Sequence, residues 1–308
     1  MRILVTGGAG FIGRHICQHF HDRAEVRVVD NLRGGFKSNL AGLDCQLIVG
    51  SILDRDLVRE AMQGVDFVFH LAAMVSVPES IQKPNEYIEV NAGGTAIVLE
   101  EAARAQAKKL IFSSSAAIYG DNLTIPMIES MQAEPKSPYA ASKFEGEQRC
   151  TSFTKEGRLA TVSLRYFNVF GPYQDPRSQY AAAIPAFIER AIKDEPITIF
   201  GDGRQTRDFI YVKDVVAANA FFALKSQTTG SFNVACGRPI TITDLALTIR
   251  NLTESSATIK YGAERPGDVK HSVADVNRIQ MAGFRPVCDL AGGLRATIEF
   301  FRKEIPGH

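Results

Sequence analysis

The stretch ILVTGGAGFIG, residues 3–13, decides the fold. A short apolar run with strand character leads into glycines, and an apolar helical pattern starts at Phe11. Gly8-x-Gly10-x-x-Gly13 is a dinucleotide fingerprint, and Gly7 supplies an overlapping G-x-x-G-x-x-G form. Glycines let the chain turn sharply and let its backbone approach a pyrophosphate, whose charge then sits at a helix N-terminus. Asp30 closes the next β-branched run, 20 residues past Gly10, where a carboxylate holds both ribose hydroxyls. The same charge repels a 2′-phosphate, which favours NAD over NADP. Arg33, a nearby cation, offsets that preference in part.

Working outward, the first half alternates apolar runs with helical periodicity. Strands are expected at Ile3–Thr6, Glu25–Asp30, Gln46–Val49, Phe67–His70, Leu110–Ser113 and Thr161–Arg165. Helices are expected at Phe11–Phe20, Arg55–Met62, Tyr87–Ala105 and Ala140–Thr154. That rhythm predicts an α/β protein, a Rossmann-type doubly wound parallel sheet. After Asn168 the pattern changes to a polar loop, GPYQDPRSQ, a helix near 181–193, a strand ITIF and a second loop, GDGRQTRD. Further helices are expected near 213–224, 243–251 and 290–303. The predicted division is an NAD-binding domain at 1–167, rejoined near 208–235. A smaller C-terminal α/β domain, 168–207 and 236–308, then covers the carboxyl edge of the sheet, where open α/β folds bind ligands.

Composition narrows the function classes. The chain has 308 residues, with 35 basic against 34 acidic side chains, so no net field draws it to nucleic acid or a membrane. Its five cysteines make no C-x-x-C pair, and no His/Cys cluster has zinc spacing, so no metal site is expected. Scattered thiols and a start directly on a strand predict a cytoplasmic protein without a disulfide framework.

A second motif carries chemistry. Tyr139-x-x-x-Lys143 places a phenol and an ammonium one helical turn apart on one face. A tyrosine near pKa ~10 is a poor base at neutral pH, and a fixed cation nearby favours its phenolate. About 0.3 such pairs are expected by chance in a chain of this composition. The motif therefore gains meaning only from its place downstream of a dinucleotide fold.

With these pieces the chain resembles the extended short-chain dehydrogenase/reductase family, of the UDP-glucose and UDP-N-acetylglucosamine 4-epimerase type. The matching motifs are TGGAGFIG, DNL at 30–32, HLAA at 70–73, SSSAAIYG at 113–120, YAASK and LRYFNVFGP at 164–172. GDGRQTRDFIYVKD and ERPGDVKHSVAD carry the resemblance into the second half. It implies an NAD-dependent enzyme with Tyr139 as base and acid, Lys143 as its electrostatic partner and a ribose ligand, and Ser115 bonding the reacting sugar oxygen. Cofactor contacts are implied from Gly7, Gly10, Phe11, Ile12, Gly13, Asp30, Asn31, Ser51, Ile52, Leu71, Ala72, Ala73, Asn91, Ser113 and Tyr166, besides Tyr139 and Lys143. A UDP-sugar substrate is implied at Ser76, Asn168, Arg207, Arg265, Asp268 and Ser272 beside Ser115 and Tyr139. Ser51 departs from the family, which often has Asp there for adenine. The helices at 87–105 and 140–154 are implied to form a homodimer bundle.

The alanines behind Ser115 discriminate among reactions. In the related 4,6-dehydratases an Asp-Glu pair follows the strand-end hydroxyl, and uronate decarboxylases keep a Glu at the second position. Elimination needs a proton donor and an acceptor besides Tyr139, and neither Ala116 nor Ala117 can be one. What remains is return of the hydride, to the other face if the ketose rotates, which inverts C4. The reading is an NAD-dependent nucleotide-sugar 4-epimerase. Alternatives are a UDP-uronate 4-epimerase, with Arg177 or Arg204 pairing the carboxylate, and a reductase or dehydrogenase with net redox change. In the epimerases this chain resembles, the residue seven positions after the conserved Arg gates the sugar pocket. Counting from Arg265 reaches Ser272, small enough to admit an N-acetyl group.

Overall fold

A computed structural model describes residues 1–122, 124–176, 182–264 and 270–304. Seven parallel strands form the main sheet: β1 (Arg2–Thr6), β2 (Glu25–Asp30), β3 (Gln46–Val49), β4 (Phe67–His70), β5 (Lys109–Ser115), β6 (Thr161–Tyr166) and β10 (Gly230–Val234). Their order is β3-β2-β1-β4-β5-β6-β10, so the sheet reverses direction of winding between β1 and β4. A crevice opens at that reversal, beyond the carboxyl ends of the strands. Burial on both faces explains the apolar runs ILV of β1 and LIF of β5, while β6, TVSLRY, is buried throughout although its polar and apolar residues alternate. One face packs on helices Phe11–Phe20 and Val212–Leu224, the other on Arg55–Ala61, Gly94–Arg104 and Pro138–Lys155. The expected Rossmann-type parallel sheet is present.

The remaining strands make smaller sheets. β9 (Thr206–Tyr211) pairs antiparallel with β11 (Pro239–Thr241), and parallel with β7 (Asn168–Phe170) and β13 (His271–Ser272). β8 (Ile197–Phe200) pairs with β12 (Ile259–Gly262). Helices Ala183–Ile192, Ile242–Thr253 and Leu290–Glu304 share a separate core with these strands, built on Phe170, Ile188, Leu245 and Leu294.

Three local differences from the expected elements have physical causes. The β5 strand runs on through Ser115, because Ser113–Ser115 keep pairing with Leu164–Tyr166 of β6. The expected helix at 87–105 is three pieces: a short α-turn at Pro84–Tyr87, a π-turn at Ile88–Gly93 and an α-helix at Gly94–Arg104. The π-turn is centred on Asn91, whose amide bonds Met74 and Ser142 and widens the helix to do so. A helix at Val77–Gln82, capped by Ser76, went unread because it has barely more than one turn of pattern.

Candidate active site

The glycines of residues 7–13 serve two needs. Gly7 has φ +72°, and a Cβ there would lie 2.7 Å from the Ala72 nitrogen. A Cβ on Gly13 would lie 2.1 Å from the Gly7 carbonyl oxygen, so only glycine lets the first helix sit this close to β1. The helix N-terminus therefore faces a cleft of about 560 Å³ at the sheet reversal. Its walls include Gly7, Gly10, Phe11, Ile12, Gly13, Asp30, Asn31, Ser51, Ile52, Leu71, Ala72, Ala73, Ser76, Ser113, Ser115, Tyr139, Lys143 and Tyr166. All of these were expected site residues. Asn91 is the exception among the cofactor residues: it is 2 % exposed, its side chain is spent on Met74 and Ser142, and it does not line the cleft.

Asp30 sits at the β2 edge with its two oxygens accepting from the Ala9 and Leu32 amides, at 2.9 and 2.8 Å. Those bonds orient the carboxylate and leave lone pairs for a ribose diol. Arg33, on the same wall, donates to Glu79 at 2.8 Å and also pairs with Glu86. The cation that weakened the case for NAD is thus engaged by two carboxylates. Ser51 Oγ accepts from the Leu53 amide at 3.1 Å and carries no charge to the cleft. Ser114 Oγ is buried and unpartnered on the cleft wall. Together the glycine cradle, the oriented Asp30 and this orphaned hydroxyl fit a bound dinucleotide.

Ser115, Tyr139 and Lys143 line the same cleft. Ser137 caps the helix Pro138–Lys155, so Tyr139 and Lys143 fall on its first two turns. Lys143 is 4 % exposed; its ammonium donates to the Ser113 carbonyl oxygen at 2.8 Å and lies 5.2 Å from the centre of the Phe112 ring. Burial pulls that ammonium down to about 8. Burial also pushes the Tyr139 phenol up, and hydrogen bonding from Ser115 opposes this. Ser115 Oγ itself accepts from the Ala117 amide at 3.1 Å, ending the strand in a short 3₁₀ turn over Ala116 and Ala117. Tyr166 packs beneath, its hydroxyl held by Asn219 at 3.0 Å and its ionisation pushed up by burial.

His70, in the HLAA motif, is a satisfied core residue. Thr95 Oγ1 donates to the Asn91 carbonyl, so it accepts from His70 Nε2 at 2.9 Å. Thr6 Oγ1 accepts from the Ala72 amide and serves Nδ1 at 2.7 Å. Desolvation lowers His70 to about 3, and it stays neutral.

A second cleft, of about 490 Å³, adjoins the first, and Val169 lines both. It brings together Asn168 and Arg207, as expected, with Phe187, Arg190, Phe200 and Phe209. The last four went unread. For Phe200 the signal was the alternation of β8, which buries Ile197 and Ile199 and turns Thr198 and Phe200 outward. Ser272 lines neither cleft but pairs with Arg207 across β13 and β9. Arg265 and Asp268, and Arg177, lie outside the described residues. Another unread group is Asp208, fully buried, which accepts from the amides of Cys236, Gly237 and Ala274 at 3.0, 2.9 and 3.3 Å. It thereby fixes the strand bearing Arg207 against the segment bearing Ser272.

Among the described residues no group of three metal-ligating side chains gathers, and no helix is long and apolar enough to cross a membrane.

Comparison with known proteins agrees with this geometry. Residues 3–235 match the NAD dependent epimerase/dehydratase family. A solved UDP-N-acetylglucosamine 4-epimerase from Methanobrevibacter ruminantium M1, in complex with UDP-N-acetylmuramic acid, superposes with a TM-score of 0.95 at 41% identity, covering 99% of both chains. A UDP-glucose 4-epimerase of Mycolicibacterium smegmatis is 33% identical, over 99% of each chain. A UDP-N-acetyl-alpha-D-glucosaminuronate decarboxylase of Bacillus cytotoxicus is also 33% identical, over 98% of each chain. The cofactor is NAD, and the chain belongs to the NAD-dependent epimerase/dehydratase family of extended short-chain dehydrogenase/reductases.

Proposed function

We propose that this chain is a redox-neutral UDP-sugar 4-epimerase. The observation that carries the reading lies beside Ser115. Among the described residues lining the first cleft, the carboxylates are Asp30 and Glu79. Asp30 is bound by the fingerprint loop and Glu79 by Arg33, so neither attends Tyr139. Ala116 and Ala117 stand where dehydratases and decarboxylases need a proton-transfer group. Among the described residues of the first cleft, no second acid or base is placed to eliminate water from a 4-keto sugar.

Bound NAD supplies the acceptor and donor of the C4 hydride. Tyr139 removes the proton from the 4-hydroxyl, and Ser115 holds that oxygen. The hydrogen bond from Ser115 counters the cost of burying the phenol, and Lys143, one helical turn away, supplies a cation that favours the phenolate. After the ketose has turned its other face, Tyr139 returns the proton. Asn168 and Arg207 hold the diphosphate in the adjoining cleft, where Phe187 and Phe200 supply apolar walls for the base. Arg265 and Asp268 are assigned to the same nucleotide by their motif. Ser272 lines neither cleft but stands beside Arg207, and its motif register is that of a small gate residue; this supports UDP-GlcNAc/UDP-GalNAc as substrates beside UDP-glucose/UDP-galactose. A homodimer through the helices at 87–105 and 138–155 completes the reading, and sedimentation at working concentration tests it.

The deciding experiment incubates purified protein, without added NAD, with UDP-glucose and separately with UDP-GlcNAc. Proton NMR of the sugars should show conversion to the C4 epimer. A 4-keto-6-deoxy product or released CO2 overturns the proposal.

A further inference from the structure

The helix Pro138–Lys155 carries a third residue on the face of Tyr139 and Lys143. Glu147, one turn beyond Lys143, is 3 % exposed and forms a two-pronged ion pair with Arg165 of β6, itself 5 % exposed. Arg165 Nη2 lies 2.7 Å from Glu147 Oε2, and Nε lies 2.9 Å from Oε1. Neither residue lines either cleft, so the pair touches neither cofactor nor substrate.

The pair does not end there. Arg165 Nη1 donates to the Tyr119 hydroxyl at 2.9 Å and to the Glu129 carbonyl at 3.1 Å. Tyr119 donates to Asn233 Oδ1 at 2.6 Å, and Asn233 Nδ2 donates to the carbonyls of Met127 and Asp275 at 2.9 and 3.2 Å. Met127 is in turn bridged to Ala274 by backbone bonds to Val273 and Asp275, next to Ser272. A buried polar chain thus runs from the helix of the base, under the Ala116–Ala117 turn, to the strand beside Arg207.

A buried ion pair is weak grounds for stability, because desolvation offsets its Coulomb energy. Its geometry is informative. The helix is also held by the Lys143–Ser113 bond, by Asn91 donating to Ser142, by Thr161 of β6 bonding the Cys150 carbonyl and the Thr154 hydroxyl, and by the close fit of Gly146 on Phe112, where a Cβ would come within 2.5 Å of the ring. Of the ties to β6 the fork is the one nearest Tyr139, since the bonds of Thr161 to Cys150 and Thr154 lie further along the helix, and it braces against rotation the turns that carry Tyr139 and Lys143. On a helix of radius about 6 Å, turning by about 10° shifts a side-chain base by roughly 1 Å. A misplacement of ~1 Å costs about 10²-fold in rate.

We propose that Glu147 and Arg165 are positioning residues for the reaction: their buried fork fixes the rotation of the helix that aims Tyr139 and Lys143. The inference rests on Tyr139 being the base. The test replaces the pair together, Glu147→Met with Arg165→Met, which leaves no unpaired buried charge and keeps side-chain volume. The expected result is a folded, NAD-retaining protein whose kcat falls about 10²-fold while KM changes less than about threefold. In the NAD-loaded variant the ultraviolet titration of Tyr139, isolated by subtracting a Tyr139→Phe protein, should move to higher pH. A folded double variant with parental kcat and an unshifted titration overturns the proposal. Should the double variant fail to fold, Glu147→Asp decides: it keeps the charge but draws the helix by one methylene. A kcat reduced about tenfold at unchanged KM supports positioning, and a parental kcat overturns it. The tyrosine titration needs no substrate, so failure of the 4-epimerase reading would show in the sugar products and not in this readout.

Discussion

The ammonium of Lys143 is tied to the carbonyl oxygen of Ser113, 2.8 Å away, which anchors the helix bearing Tyr139 to the strand that ends in Ser115. That bond spends one of three ammonium donors and leaves two for a ligand in the cleft that Lys143 lines. Tyr139→Phe should lower kcat about 10³-fold and leave NAD bound, measured as cofactor retained after gel filtration. Lys143→Met should lower kcat similarly and also release NAD. Full turnover in either variant would remove the proton-transfer scheme.

The carboxylates of Glu79 and Glu86 occupy Arg33. Glu79→Gln with Glu86→Gln should free the guanidinium for a 2′-phosphate. Calorimetric titration of the apoprotein should then show NADP binding strengthened by about tenfold, with NAD affinity little changed. Unaltered NADP affinity would mean that Asp30 alone sets the preference.

Ser272 lies beside Arg207 on neighbouring strands. Ser272→Tyr should cut kcat/KM for UDP-GlcNAc by 10²-fold or about that, and spare UDP-glucose. Equal losses on both sugars would show that position 272 supports the strand and does not gate the pocket.

His70 stays neutral between Thr6 and Thr95, with its pKa lowered from 6.5 to about 3. The unfolded chain takes up a proton below pH 6.5 and the folded protein does not. Stability from this group is therefore complete above pH 6.5 and is lost as pH falls toward 3. His70→Gln keeps a donor and an acceptor but cannot titrate. Between pH 6 and 4 its urea-unfolding stability should fall less steeply than the parent's, by about 1.4 kcal/mol per pH unit. Parallel pH profiles would contradict the neutral assignment.

Much of the site was legible in the sequence because its parts are local. The glycine turn, Asp30 at a strand end and Tyr139 four residues from Lys143 each follow from backbone geometry over a few residues, and each stands in the first cleft. The second cleft was less legible. Asn168 and Arg207 were carried by their motifs, but Phe187 and Arg190 come from one helix and Phe200 from a strand, and no spacing encodes the meeting of the two elements.

The sequence by itself determined the parallel sheet, the dinucleotide turn and the absence of an acid or base behind Ser115, since each depends on residue type and periodicity. Only the tertiary structure decided how distant side chains use their charges. It gave Arg33 to Glu79 and Glu86, withdrew Asn91 from the cleft wall to hold Met74, and joined Glu147 to Arg165 across 18 positions of chain. Electrostatic and hydrogen-bonding partners are chosen by proximity in space and by burial, and neither is written in the order of residues.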